Sequence, residues 1–145
     1  IHHSMKNLIR SAFDPGPHGA CTSFGLILLR VAAGGMMLYA HGWGKLTGFS
    51  EMSGKFLDPL GIGSMPSLAL AVFAEVFCAA LVMIGLGTRV AAIPLLVTMI
   101  VAAFLVHGAE PFAKKELALL YGTAFLALVF TGAGKFSADS IFRKS

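Results

Sequence analysis

The sequence predicts an all-α fold, a bundle of four transmembrane helices. Of its 145 residues, 57% are hydrophobic and only 12% are charged, and the mean hydropathy is +0.81. Soluble domains carry about 25% charged residues, so this chain has too few polar groups to solvate its own surface. Four apolar segments also follow one another, each near the ~20 residues that a helix needs to cross a bilayer core.

The four apolar segments are expected at residues 22–40, 66–86, 89–106 and 117–133. In lipid a segment must satisfy its own backbone hydrogen bonds, so each is predicted to be helical. The last three segments are joined by short connections with glycine, at residues 85–89 and 107–112, which are typical of tight turns. These turns predict antiparallel neighbours.

The longer connection between the first two segments is predicted to contain a short amphipathic helix. Ser50 can cap its start, and Asp58, which precedes a proline, can end it. Large apolar side chains fall on one side of this helix: Phe49, Met52 and Phe56. We therefore expect it to lie in the membrane interface or to fold back over the bundle.

The chain is expected to divide into an N-terminal part at residues 1–20, a membrane domain at 21–136 and a C-terminal tail at 137–145. The N-terminal part comprises the remnant of an affinity tag, with His2 and His3, and a cytoplasmic segment. Four crossings would bring both termini to one side. Lysines and arginines number six there and four on the other side, which favours cytoplasmic termini. The six are Lys6, Arg10, Arg89, Lys135, Arg143 and Lys144, and the four are Lys45, Lys55, Lys114 and Lys115.

The charge and cysteine content exclude several classes of function. The formal net charge is +4, but the basic residues are scattered rather than gathered in a stripe, so no nucleic-acid partner is expected. No dinucleotide fingerprint, iron–sulfur pattern or nucleophile elbow is present. Cys21 and Cys78 are expected to be packing residues rather than a disulfide.

Two opposite charges stand near the centres of the first two segments. Arg30 and Glu75 would lie at similar depth in antiparallel neighbours, and an isolated charge there costs at least ~2.5–3.5 kcal/mol. We therefore predict an ion pair between them, either direct or bridged by water or a ligand. This pair could fix helix register, or it could form a proton relay or the polar end of a ligand cavity.

A second polar cluster is expected at the non-cytoplasmic end. His41 ends the first segment on the Arg30 face, His107 ends the third, and Tyr121 lies one turn deeper. A single path of polar side chains could include His41, Arg30, Glu75, His107 and Glu116. Nearby Trp43, Lys45, Lys114 and Lys115 are typical of an interfacial belt. No metal site is predicted, and haem ligation by two histidines ranks below the other interpretations.

Six short motifs follow one another along the chain. They are residues 28–31, 41–46, 74–75, 85–89, 115–121 and 132–139, which read LLRV, HGWGKL, AE, GLGTR, KELALLY and GAGKFSAD. In order and spacing they resemble the DoxX family of small bacterial membrane proteins. The resemblance implies a four-helix fold in the bacterial inner membrane. Its signature positions correspond to Arg30, His41, Gly42, Lys45 and Glu75.

The resemblance implies a role in redox metabolism, because some members of that family are linked to quinone oxidoreductases. The first hypothesis is a quinone-linked membrane component, in which Arg30, Glu75 and His41 act on the ligand. The expected ligand-binding residues are these three together with Lys45 and Tyr121. The alternatives are a non-enzymatic anchor or assembly partner of a redox protein and, third, a small-molecule transporter. The expected partners are the lipid bilayer, a quinone or another small hydrophobic ligand, and a redox partner protein or a second copy of the chain.

Overall fold

The computed structural model describes residues 6–7, 10–14 and 16–144. Over this part the chain is all-helical and has no strand, so the predicted all-α class is confirmed. The expected tag remnant, which precedes Met5, lies outside the described residues. From residue 16 onward the helices are α1 (Ala20–Thr47), α2 (Phe49–Met52), α3 (Ser64–Ile84), α4 (Thr88–Val106), α5 (Phe112–Thr131) and α6 (Ala138–Lys144).

Three of these helices, α1, α3 and α4, are long and apolar enough to cross a membrane. Their outward surfaces carry large apolar side chains, among them Phe24, Leu28, Phe77 and Phe104. Exposed apolar surface of this extent is unusual for a soluble monomer and is expected where lipid is the solvent. The prediction of a membrane protein is therefore supported on three helices.

Helix α5 packs along α4 over most of its length. It begins five residues before the expected segment, so its first turns include Lys114, Lys115 and Glu116. These three charges set it apart from the other three long helices, and a fourth crossing stays a prediction. Helices α1, α3, α4 and α5 enclose a core with no exposed surface at Met37, Ala79, Leu95, Phe125 and Leu128.

Each of the three spanning helices contains a π-helical segment. These segments are Met37–Gly42 in α1, Phe73–Cys78 in α3 and Ala102–Val106 in α4. The first two pack against each other. A π-turn holds one more residue than an α-turn, which rotates the following side chains, and such segments are frequent at functional sites.

The connection between α1 and α3 differs from the prediction. Helix α2 follows Gly48 and covers only Phe49–Met52, so Ser50 lies inside it and does not cap it. Asp58 instead organises the start of α3: its carboxylate accepts hydrogen bonds from the Ile62 and Gly63 amides and from the Ser67 hydroxyl. The bonds from Gly63 and Ser67 hold the pKa of Asp58 below its ordinary value. An interfacial position for α2 stays a prediction.

The C-terminal segment closes one end of the bundle. The turn between α3 and α4 contains two glycines with positive φ, Gly85 at 74° and Gly87 at 57°. The carboxylate of Asp139 accepts hydrogen bonds from the amides of Gly87 and Thr88, at 2.7 and 3.3 Å, and so caps the start of α4. Burial raises the pKa of Asp139 above its ordinary value.

Candidate functional site

A partly buried ion pair joins α1 to α3. The ammonium of Lys45 lies 2.5 Å from Oε2 of Glu75, and the exposed fractions of the two side chains are 20% and 6%. The same ammonium donates a 3.1 Å hydrogen bond to the carbonyl of His41. Such a pair is weak evidence for net stability, because taking both charges out of water is costly. Its place between two spanning helices makes it a candidate functional site.

Local helix geometry brings the two charges together. Glu75 lies within the π-helical segment of α3, and Lys45 follows the π-helical segment of α1 by three residues. Between them the backbones touch at Gly42, where an added Cβ would lie 2.6 Å from the Glu75 carbonyl oxygen. Because glycine leaves this space free, α1 approaches α3 closely enough for Lys45 to reach the carboxylate.

The pair keeps hydrogen-bonding capacity that the protein does not use. An ammonium has three protons, and within the described chain that of Lys45 donates only to Glu75 and His41. Likewise, no described residue donates to the second carboxylate oxygen of Glu75, and this atom is not sealed from the surroundings. One donor and one acceptor therefore remain for a ligand.

The pair opens onto an apolar cavity of about 510 Å³. Cavities that hold small ligands have this size and this character, being apolar with a few placed polar groups. Lys45 and Glu75 supply its charge, and the other polar side chains in its wall are Ser67 and Thr98. Helices α3 and α4 and the connection between α1 and α3 form the rest of the wall, with Phe56, Leu57, Leu60, Phe73, Pro94, Val97 and Val101 among the lining residues.

The predicted Arg30–Glu75 ion pair is wrong. Glu75 lies opposite Gly42, twelve residues after Arg30 on the same helix, which is about 18 Å along the axis at 1.5 Å per residue. The prediction placed α1 at 22–40 and matched segment centres, whereas α1 continues to Thr47 and packs in a different register. Equal distance from the segment centres therefore did not mean equal depth.

Arg30 instead binds the C-terminal end of α3. Its guanidinium donates hydrogen bonds to the carbonyls of Val82 (3.4 Å) and Met83 (3.0 Å) and, from the C-terminal segment, of Phe136 (2.7 Å). The last carbonyls of a helix lack intrahelical donors and form the negative end of its dipole. Arg30 is 2% exposed, so it acts as a buried cap that also fastens the segment before α6.

The other two predicted ligand-binding residues meet each other rather than the cavity wall. The rings of His41 and Tyr121 are 5.8 Å apart and nearly perpendicular, and Tyr121 stacks on Phe125. Within the described chain neither the imidazole nor the phenol makes a hydrogen bond. The backbone of His41 reaches the site through Lys45, whereas its ring faces α5. The ligand-binding roles of Arg30, His41, Lys45, Glu75 and Tyr121 stay predictions.

The predicted polar path is also wrong as a single path. His107 pairs with Glu110 at 3.1 Å in the exposed turn before α5, and Glu116 is exposed. Arg30 belongs to the opposite end of the bundle. Among the residues that the structure describes, no three histidine, cysteine or acidic side chains gather where they could share a metal.

The sequence did not reveal the partner of Glu75, nor where the cavity lies. From composition, Lys45 was indistinguishable from the interfacial lysines 114 and 115. Two signals were available: Lys45 is a signature position of the resemblance, and its separation of four residues from His41 places it on the inward face one turn later. The cavity depends on where the connection between α1 and α3 folds, and no periodic pattern encodes that.

Comparison with known proteins yields one family and two relatives. The profile of the DoxX family matches residues 25–108. An uncharacterized protein of Haemophilus influenzae is 37% identical over 126 residues, which cover 82% of this chain and 91% of the relative. An uncharacterized membrane protein of Mycobacterium tuberculosis is 37% identical over 81 residues, covering 45% and 48% of the two chains. No solved structure matches significantly.

Proposed function

This chain belongs to the DoxX family, and on that premise we propose that it is a quinone-linked redox component of the bacterial inner membrane. The observation that carries the proposal is the apolar cavity of about 510 Å³ with the Lys45–Glu75 pair in its wall. A quinone has the matching chemistry: an apolar body and polar oxygens that accept hydrogen bonds when oxidised and donate them when reduced. The site is therefore centred on Lys45 and Glu75, not on Arg30.

In this proposal Lys45 and Glu75 have complementary roles, which follow from their opposite charges. A quinone, when bound, supplies the two-electron, two-proton redox chemistry. The third N–H of the Lys45 ammonium donates a hydrogen bond to a ligand oxygen. The positive charge of the ammonium stabilises negative charge that develops on that oxygen. Glu75 accepts or returns a proton through its unused oxygen. The apolar wall lowers the local dielectric, which strengthens both interactions. The electrons come from a partner protein or a small donor, because the sequence lacks a binding motif for another redox group.

Orientation and the fourth crossing belong to the same proposal. Arg89, Lys135 and Arg143 lie at the end of the bundle that holds the C-terminal segment, which favours a cytoplasmic location for that end. Along α5, the exposed side chains of Leu120, Leu126 and Phe130 support a fourth crossing. Cys21 is exposed near the start of α1. A membrane-impermeant thiol reagent applied to whole cells should leave Cys21 unlabelled and should label Lys115→Cys in a Cys21→Ser background.

Equilibrium binding of a short-chain ubiquinone analogue to the purified protein tests the site. Lys45→Met and Glu75→Gln should each weaken binding at least tenfold, since a charge-assisted hydrogen bond contributes about 1.5–3 kcal/mol. Lys114→Met and Glu116→Gln make the same chemical changes at exposed positions outside the cavity and should bind like the wild type. If the wild type and the four variants all bind equally, or if none of them binds, the quinone proposal fails and the result favours the assembly-partner hypothesis.

A further inference from the structure

The C-terminal segment has an inverted distribution of polar and apolar side chains. Ser137 and Asp139 point into the bundle and are 8% and 1% exposed, whereas Phe136 and Phe142 point outward and are 52% and 65% exposed. In a helix at an aqueous surface the polar face is outside. Here Asp139 accepts hydrogen bonds from the turn between α3 and α4, and the Ser137 hydroxyl donates to the Gly134 carbonyl in its own segment. The outer apolar face therefore requires an apolar or interfacial environment.

A cleft lies beside this face, between residues 10–14 and α6. Its volume is about 530 Å³, and it combines two cations with two aromatic rings. Its lining residues are Arg10, Ser11, Phe13, Asp14, Phe142 and Arg143. Arg143 forms a 2.9 Å ion pair with Asp14, an exposed contact that a stronger anion could replace. Arg10 has no acidic partner within the described residues, so the cleft carries a net positive charge.

From these two observations we infer that the cleft binds the headgroup of an anionic phospholipid, while Phe13 and Phe142 insert among its acyl chains. The guanidinium groups of Arg10 and Arg143 match a phosphate in charge and in planar, bidentate geometry. Exposed Lys135, next to Phe136, adds a positive charge on the same segment. Asp139 does not oppose the lipid, because its carboxylate is buried against α4. The site is separate from the Lys45–Glu75 cavity.

Thermal unfolding in detergent micelles tests the site with defined lipids. Dioleoylphosphatidylglycerol should raise the midpoint of the wild type by several degrees more than dioleoylphosphatidylcholine does. Inorganic phosphate at the same concentration should not, because it lacks the acyl chains. The double variant Arg10→Gln/Arg143→Gln should lose the difference between the lipids. Lys114→Gln/Lys115→Gln removes the same charge from the opposite end and should keep it.

Three results would overturn the inference. Equal shifts by both lipids in the wild type would show no headgroup preference. Equal loss in the two double variants would indicate general attraction to net charge, and an equal effect of inorganic phosphate would indicate an anion site without lipid.

If Arg10→Gln/Arg143→Gln does not fold, fluorescence decides instead. Phe142→Trp in a Trp43→Phe background places the single indole of the chain at the cleft. Brominated phosphatidylglycerol should quench its emission more than brominated phosphatidylcholine does. An indole that emits as in water, or that neither lipid quenches, would contradict the inference, the latter pointing to a protein partner on this face.

Discussion

At the scale of single residues, the cations Lys45 and Arg30 of α1 have different kinds of partner: Lys45 pairs with the carboxylate of Glu75, whereas Arg30 binds backbone carbonyls. Arg30, Glu75 and Lys45 were all singled out, but pairing by charge joined the wrong two. An arginine can be satisfied by neutral carbonyls at a helix end, and such carbonyls leave no mark in a sequence. The partner of a buried cation therefore depends on helix register. The four-residue spacing of His41 and Lys45 places both on one face of α1 but does not determine that register.

The carbonyl cap formed by Arg30 makes a prediction about stability. Arg30→Gln should destabilise the fold by about 1–3 kcal/mol, because buried carbonyls at the end of α3 and at Phe136 lose their donor. Thermal unfolding in detergent measures the change, with the exposed Lys135→Gln at the same end as the control. The folded fraction of Arg30→Gln should still bind the quinone analogue. A variant that stays fully stable but loses binding would place Arg30 in the ligand site instead.

Asp139 predicts a dependence of stability on pH. Burial raises its pKa in the folded protein, so the folded state binds the proton more tightly than the unfolded state. Its contribution to stability is thus fully present below the ordinary aspartate pKa near 3.9 and is lost as the pH rises through the folded value. The stability of the wild type relative to Asp139→Asn should therefore fall as the pH rises from 4 to 7. A difference that stays constant, or that grows with pH, would show that the ionised form is the favoured one.

At the scale of elements, periodicity and hydropathy predicted all four long helices. Most of the predicted helix ends lie within a few residues of the observed ones. The largest misses were the extension of α1 from residue 40 to Thr47 and the early start of α5 at Phe112. Both added turns carry lysines, which hydropathy reads as the end of a span. The π-helical segments were not predicted, since their extra residue per turn results from packing between helices rather than from a local residue preference.

Close approach of α1 and α3 predicts opposite effects for two neighbouring glycines. Gly42→Ala would place a Cβ 2.6 Å from the Glu75 carbonyl oxygen and should separate the helices, lowering both thermal stability and quinone affinity. At Gly44 an added Cβ meets nothing within 4 Å, so Gly44→Ala should be neutral or stabilising by up to about 1 kcal/mol. Unfolding midpoints of the two variants test this directly. Similar midpoints for both would mean that α1 and α3 do not touch at Gly42.

At the scale of the whole molecule, the two ends of the bundle differ in structure. One end is closed by the C-terminal segment through Arg30 and Asp139, and the other contains the cavity with Lys45 and Glu75. The membrane class and the family were predictable, because they rest on composition and on ordered motifs. The division between an end closed by the C-terminal segment and an end that contains the cavity was not, because it depends on how the connection between α1 and α3 and the C-terminal segment fold back.

Photolabelling with an azido-quinone, mapped by peptide mass spectrometry, tests the central claim most directly. The claim predicts labels in residues 56–60 and 97–102, which line the cavity, and competition by the unmodified quinone analogue. Lys45→Met should reduce these labels, and Lys114→Met should not. Labels spread over the outward faces of α1 and α4 without competition, or concentrated around Arg30, would contradict the claim that the Lys45–Glu75 cavity is the quinone site.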